Sequence, residues 1–101
     1  MVIIARAAIA AFIRRNPLSA NSLNEWYFKT KAADWKNLHE VLQIFNSCDA
    51  IGNYHYVFNI GGNNYRLIAM IHFGIRTVYL RGIMTHPEYD EYNKKGLLPN
   101  L

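Results

Sequence analysis

Three segments in the second half of the chain restrict its fold more than any other feature: "YHYVFNI" (54–60), "YRLIAMIHF" (65–73) and "TVYLRGIMT" (77–85). Each is rich in aromatic and β-branched residues, which suit a pleated, half-buried surface. The connections, "GGNN" (61–64) and "GIR" (74–76), have hairpin length and turn chemistry. Strands joined this way form an antiparallel meander. Counting outward from "GGNN" sets Ile60 beside Tyr65 and Asn59 beside Arg66. Counting outward from "GIR" sets Arg66 beside Met84, to within one residue. Cross-strand neighbours lie about 5 Å apart. Arg66 is therefore expected on the central strand, between Asn59 and the approach to His86.

The central strand has two faces. Tyr65, Leu67, Ala69, Ile71 and Phe73 form one, which helices can cover. Arg66, Ile68, Met70 and His72 form the other. An unpaired buried Arg is costly, so Arg66 must meet solvent, an acid or an anionic ligand. A surface carboxylate such as Glu88 or Asp90 would serve. Closeness to His86 favours an anion site.

The first half reads as a strand followed by helices. "VII" (2–4) can form a short strand, and residues 5–15 a helix with Ile9, Phe12 and Ile13 on one face. Arg14 and Arg15 suit the negative end of its dipole, and "NP" at 16–17 stops it. Ser19 or Asn21 can cap a second helix running to about Ala33, with Leu23, Trp26 and Tyr27 inward. Asp34 can cap a further short turn, "WKNLHEVL". The expected fold class is α+β: a short N-terminal strand and two helices packed on a small antiparallel sheet, with a short C-terminal helical turn and a loose tail. The 101 residues suffice for a single domain, 1–101, and show no repeat or linker.

Composition narrows the function classes. Hydrophobic residues make up 51% and charged residues 18%, a globular balance rather than a disordered one. The net charge of +4 favours a polyanionic partner such as RNA, or an acidic protein. A lone cysteine, Cys48, cannot build a disulfide within the chain and points to a reducing, cytoplasmic setting. No apolar run reaches bilayer-spanning length, so no membrane role is expected. "MVIIARAAIAAFIRR" reads better as a strand leading into a helix than as a targeting segment.

Proton-transfer groups concentrate in "MTHPEYDEYNKK" (84–95). Cleaving an RNA phosphodiester needs a base for the 2′-OH, donors for the charge building on phosphate, and an acid for the departing 5′-oxygen. His, Tyr, Asp and Lys can move protons, Arg can grip phosphate with parallel hydrogen bonds, and no metal or other cofactor is required. Each residue also has a plainer reading. His86 before Pro87 can cap a turn. Tyr89 and Tyr92, three apart, can share a packed helical face. Lys94 and Lys95 can be a solvated tail, and His55 and His72 half-buried strand residues. The four His and one Cys show no metal-ligand spacing, and "GGNN" is a turn rather than a phosphate loop. Cys48 has no basic neighbour to activate it.

"HYVFNIGGNNYRLIAMIHF" followed by "VYLRGIMTHPEYD" resembles the HigB family of bacterial type II toxins, which belong to the RelE superfamily. The resemblance spans roughly residues 34–95, and the leading strand and helices agree in order. It implies a RelE-like fold and a ribosome-dependent mRNA endonuclease that cuts in the A site. It further implies neutralisation by a HigA-type helix-turn-helix antitoxin, with operator DNA reached only through that antitoxin. By position, Arg66 matches the phosphate-gripping Arg of the central strand. His86 and Tyr92 fall where the superfamily keeps C-terminal catalytic groups. Tyr89 and Asp90 belong to the "MTH-EYD" motif. His55, Asn59, Asn63, Arg81, Lys94 and Lys95 are candidates for contacting RNA. The prototype RelE uses lysines before the central strand, whereas residues 48–60 here contain none, so His55 or His86 is left as the base. The alternatives are a binding module that blocks RNA or the ribosome without cutting, and a purely structural partner of another protein.

Overall fold

A computed structural model describes every residue, 1–101. Strands β1 (Val2–Ile4), β2 (Asp49–Gly52), β3 (His55–Ile60), β4 (Tyr65–His72) and β5 (Thr77–Thr85) form one sheet in the order β1-β5-β4-β3-β2. Helices α1 (Ala7–Arg15), α2 (Ala20–Ala32) and α3 (Leu38–Ile44) precede β2, and α4 (His86–Lys94) follows β5. The meander has the register set by its turns: Ile60 opposite Tyr65, Asn59 opposite Arg66, Arg66 opposite Met84. Gly61 and Gly62 both take positive φ (61° and 67°), a backbone that side-chain-bearing residues adopt at a cost.

The expectation of an antiparallel meander holds for β3 to β5, an unforeseen β2 extends it antiparallel beside β3, and the pattern fails at the other edge. β1 runs parallel to β5, so the sheet is mixed and has five strands. A strand that returns to its sheet after intervening helices can arrive in either direction, and no hairpin dictates it. β2 was not foreseen because "DAIG" has little strand propensity and carries a bulge between Ala50 and Gly52.

Alternation along β4 divides the interior. Leu67, Ala69 and Ile71 face the helical layer and pack with Ile9, Phe12, Leu23, Trp26, Phe58 and Val78. Trp26 meets Phe58 edge to face, with centroids 5.5 Å apart. Fully burying side chains of this size stabilises by about 1.5–3 kcal/mol each. Ile68, on the other face, joins Val57, Met84 and Leu98 in a smaller cluster.

That second cluster corrects the expectation of a loose tail. A turn at Leu98–Asn100 folds back, and Leu98 is only 2% exposed. The caps also differ. Asn37, not Asp34, caps α3 by accepting from the Glu40 amide (3.0 Å); Asp34 pairs instead with Arg76 at 2.6 Å. Ser19 sits at the N-cap of α2, but its hydroxyl donates backward to the Asn16 carbonyl.

Candidate functional site

The site forms where the β3–β4 turn, β4 and the first turn of α4 meet. Thr85 ends β5 and opens α4 with a reciprocal capping box. The Thr85 side chain accepts from the Glu88 amide, and the Glu88 carboxylate accepts from the Thr85 amide at 2.9 Å. Such boxes satisfy two orphan donors at once. The His86 amide donates to the Asn64 carbonyl at 3.0 Å, tying the start of α4 to the β3–β4 turn. The strand-to-helix junction thus carries His86 to the Arg66 end of β4.

Arg66 is 7% exposed, and every hydrogen-bond acceptor around its guanidinium is neutral. Nη1 donates to the carbonyls of Asn63 (3.3 Å) and Tyr65 (3.0 Å), and Nη2 to the Asn63 side-chain oxygen (2.6 Å). The Tyr89 ring lies 5.5 Å from Cζ. The expected partner carboxylates are engaged elsewhere: Glu88 with Thr85, and Asp90 facing His86. Arg66 makes no salt bridge, and its Nε–H has no protein acceptor although it still reaches solvent. A nearly buried cation without a counter-charge suits an anionic ligand, because desolvation strengthens its field.

His86 and Asp90 are one helical turn apart, with Nδ1 3.6 Å from Oδ1. That is beyond hydrogen-bond length, and Nδ1 is sealed from solvent without a partner. The pair is aligned but open. Burial pushes the Tyr89 phenol above its ordinary pKa. The Arg66 guanidinium pulls the other way, and Asp49 and Asp90 add to the rise. The phenol is therefore a protonated donor at neutral pH.

The remaining candidates divide. Asn63 buttresses Arg66, and Asn59 lies exposed opposite it in register. Tyr92 is 37% exposed and makes no hydrogen bond or ring contact with Arg66, His86 or Tyr89. Arg81 occupies the bulge of β5, exposed, with its guanidinium 5.5 Å from the Tyr79 ring. Lys94 is exposed and Lys95 pairs with Glu91 at 3.4 Å. His55 is buried away from this cluster. Its Nδ1 faces the Asn53 carbonyl (2.7 Å) and its Nε2 the Leu101 carbonyl (3.1 Å). Thr85 and Glu88 were missed as organisers of the site, although "T-H-P-E" has capping-box spacing.

Comparisons with known proteins converge. The model of a family described as HigB_toxin, RelE-like toxic component of a toxin-antitoxin system, matches residues 19–92. The mRNA interferase toxin HigB of Escherichia coli K12 is 41% identical over 70 residues, 69% of this chain. That stretch spans 62% of the K12 protein, and mRNA interferase HigB of Shigella flexneri aligns to the same extent. The mRNA interferase HigB of E. coli O6:H1 is 32% identical over 96 residues, 93% of each chain.

Proposed function

The chain belongs to the HigB toxin family, and from that premise we propose that it is an mRNA interferase: an endoribonuclease that arrests translation by cutting messages. The observation that supports this reading most is Arg66, nearly buried, satisfied only by neutral acceptors and facing the Tyr89 ring of the helix that His86 begins. Arg66 holds the scissile phosphate through its uncommitted donors. His86, backed by Asp90, takes the proton of the 2′-OH. The 2′-oxygen bonds to phosphorus, the bond from phosphorus to the 5′-oxygen breaks, and the Tyr89 hydroxyl protonates the departing oxygen. The products are a 2′,3′-cyclic phosphate and a 5′-hydroxyl end. His55, held by two carbonyls, pins the C-terminal tail and takes no proton from substrate. Tyr92, Asn59, Arg81, Lys94 and Lys95 are exposed and available to RNA or ribosomal phosphates.

The finer reading follows the family. Cutting takes place in the ribosomal A site of the cytoplasm, and a HigA-type antitoxin neutralises the protein. The test is inducible expression of wild type, Arg66→Ala and His86→Ala, with growth followed alongside 5′-end mapping of mRNA. New in-frame ends with wild type, absent with folded variants, are expected. Growth arrest without new ends would replace the nuclease by a module that blocks the ribosome.

A further inference from the structure

α1 and α2 enclose a groove of about 350 Å³ on the side of the molecule opposite Arg66. Its floor is apolar, made of Ile9, Ala10, Ile13, Tyr27 and Phe28. Phe28 is 64% exposed, yet it is braced edge to face against Tyr27, with centroids 5.4 Å apart. A large ring held at the surface in this way is not part of the core. The cations beside the floor are Arg6, 4.6 Å from the Tyr27 ring centroid, and Lys31, 5.7 Å from it. Arg14 and Arg15 stand in the last turn of α1, and α1 contains no Asp or Glu. Glu25 on α2 is neutralised by Lys29 at 2.6 Å.

We propose that this groove docks an acidic amphipathic helix of a partner protein, and, resting on the toxin reading above, that the partner is the antitoxin. Charge complementarity selects the partner's sign: cations flank the groove and no free carboxylate opposes them. The apolar floor selects its form. Both walls are helices whose backbones are self-satisfied, so no sheet edge is offered to an extended strand. A helix with anchors at i, i+4 and i+7 can lay its apolar stripe over Phe28 and Ile13 and place carboxylates by Arg6 and Lys31. Nucleic acid fits less well, because a phosphate chain would gain nothing from covering Ile13 and Ala10.

The test uses the whole 101-residue chain and its purified cognate antitoxin. Affinity is measured for wild type, Phe28→Glu and Arg6→Glu, together with growth rescue on co-expression and 5′-end mapping. Both side chains are exposed, so thermal melting should match wild type. Each substitution is expected to weaken antitoxin binding by about tenfold or more. Each should escape neutralisation while leaving cleavage unchanged. Binding of both variants within twofold of wild type overturns the proposal. So does unaltered antitoxin binding with lost affinity for a ribosomal RNA oligonucleotide, which would make the groove a nucleic-acid surface. Unaltered antitoxin binding with loss of self-association, which would assign the groove to a second copy, also overturns it. Absence of cleavage by wild type would remove the nuclease reading alone, since the binding ratios decide the groove independently.

Discussion

Replacing Asn63 by Asp should raise stability and lower activity, and this opposition separates an anion site from a structural arginine. The Asn63 side-chain oxygen already accepts from Arg66 Nη2 at 2.6 Å, so Asn63→Asp changes charge with little change of shape. Residue 63 is exposed, which keeps the new ion pair near the surface range of about 0.2–1 kcal/mol in favour of the fold. For a bound phosphate the sign reverses. A carboxylate some 6 Å from the phosphate charge repels it by roughly 0.7 kcal/mol in water-like surroundings and about 3 kcal/mol at an effective dielectric of 20. The expected loss in cleavage is therefore about 3- to 100-fold, at 1.4 kcal/mol per factor of ten. Asn63→Ala removes the same acceptor without adding charge, so it should reduce cleavage less and stabilise nothing. The assay pairs urea melts with cleavage of a translated message by purified protein. If N63D cleaves as fast as wild type, Arg66 is not the phosphate ligand.

Tyr89→Phe keeps the ring beside Arg66 but removes the hydroxyl donor. It should bind RNA within about twofold of wild type and cleave at least 100-fold more slowly, a result readable from single-turnover kinetics. Leu98→Ala deletes most of a side chain that is 2% exposed; because a short tail can relax, the cost should fall at the low end of such truncations, about 2 kcal/mol in urea unfolding. Burial, then Asp49, pushes the Cys48 thiol up to about 12. It should therefore resist thiol reagents at pH 8 until the protein unfolds. Since its folded pKa exceeds the unfolded one, its contribution to stability is complete below about pH 9 and is lost as pH rises toward 12. Cys48→Ala should flatten that loss in alkaline urea melts.

What could be read from the residues followed the distance over which each contact is specified. The β3–β4 and β4–β5 registers were legible because turns of three or four residues leave little freedom, and strand alternation then assigns every side chain to a face. The pairing of β1 with β5 was not legible: Val2 meets Thr77 across most of the chain, and direction and register come from packing under the helices. β2 was hidden by its Asp and Gly. The tail was hidden because Leu98 finds Ile68 and Met84 only once the sheet exists. At the site, the register of Arg66 opposite Met84 was legible, but the partner of Arg66 was not.

The reason lies in competition among short-range partners. Glu88 and Asp90 flank Tyr89, the α4 residue whose ring lies against Arg66, and from the sequence either was a candidate to neutralise it. Glu88 is instead taken by the capping box, where one carboxylate accepts from the Thr85 amide and hydroxyl, both at 2.9 Å. Asp90 lies one turn beyond His86, so helical spacing turns it to the imidazole. Asn63, fixed by the glycine turn before it, reaches the guanidinium first and brings no charge. Local rules that only start a helix and close a hairpin thus consume the nearby acids and leave one cation open. The electrostatics of the site follow from those rules, and a single carboxylate returned to Arg66 would make the same fold an ordinary ion pair.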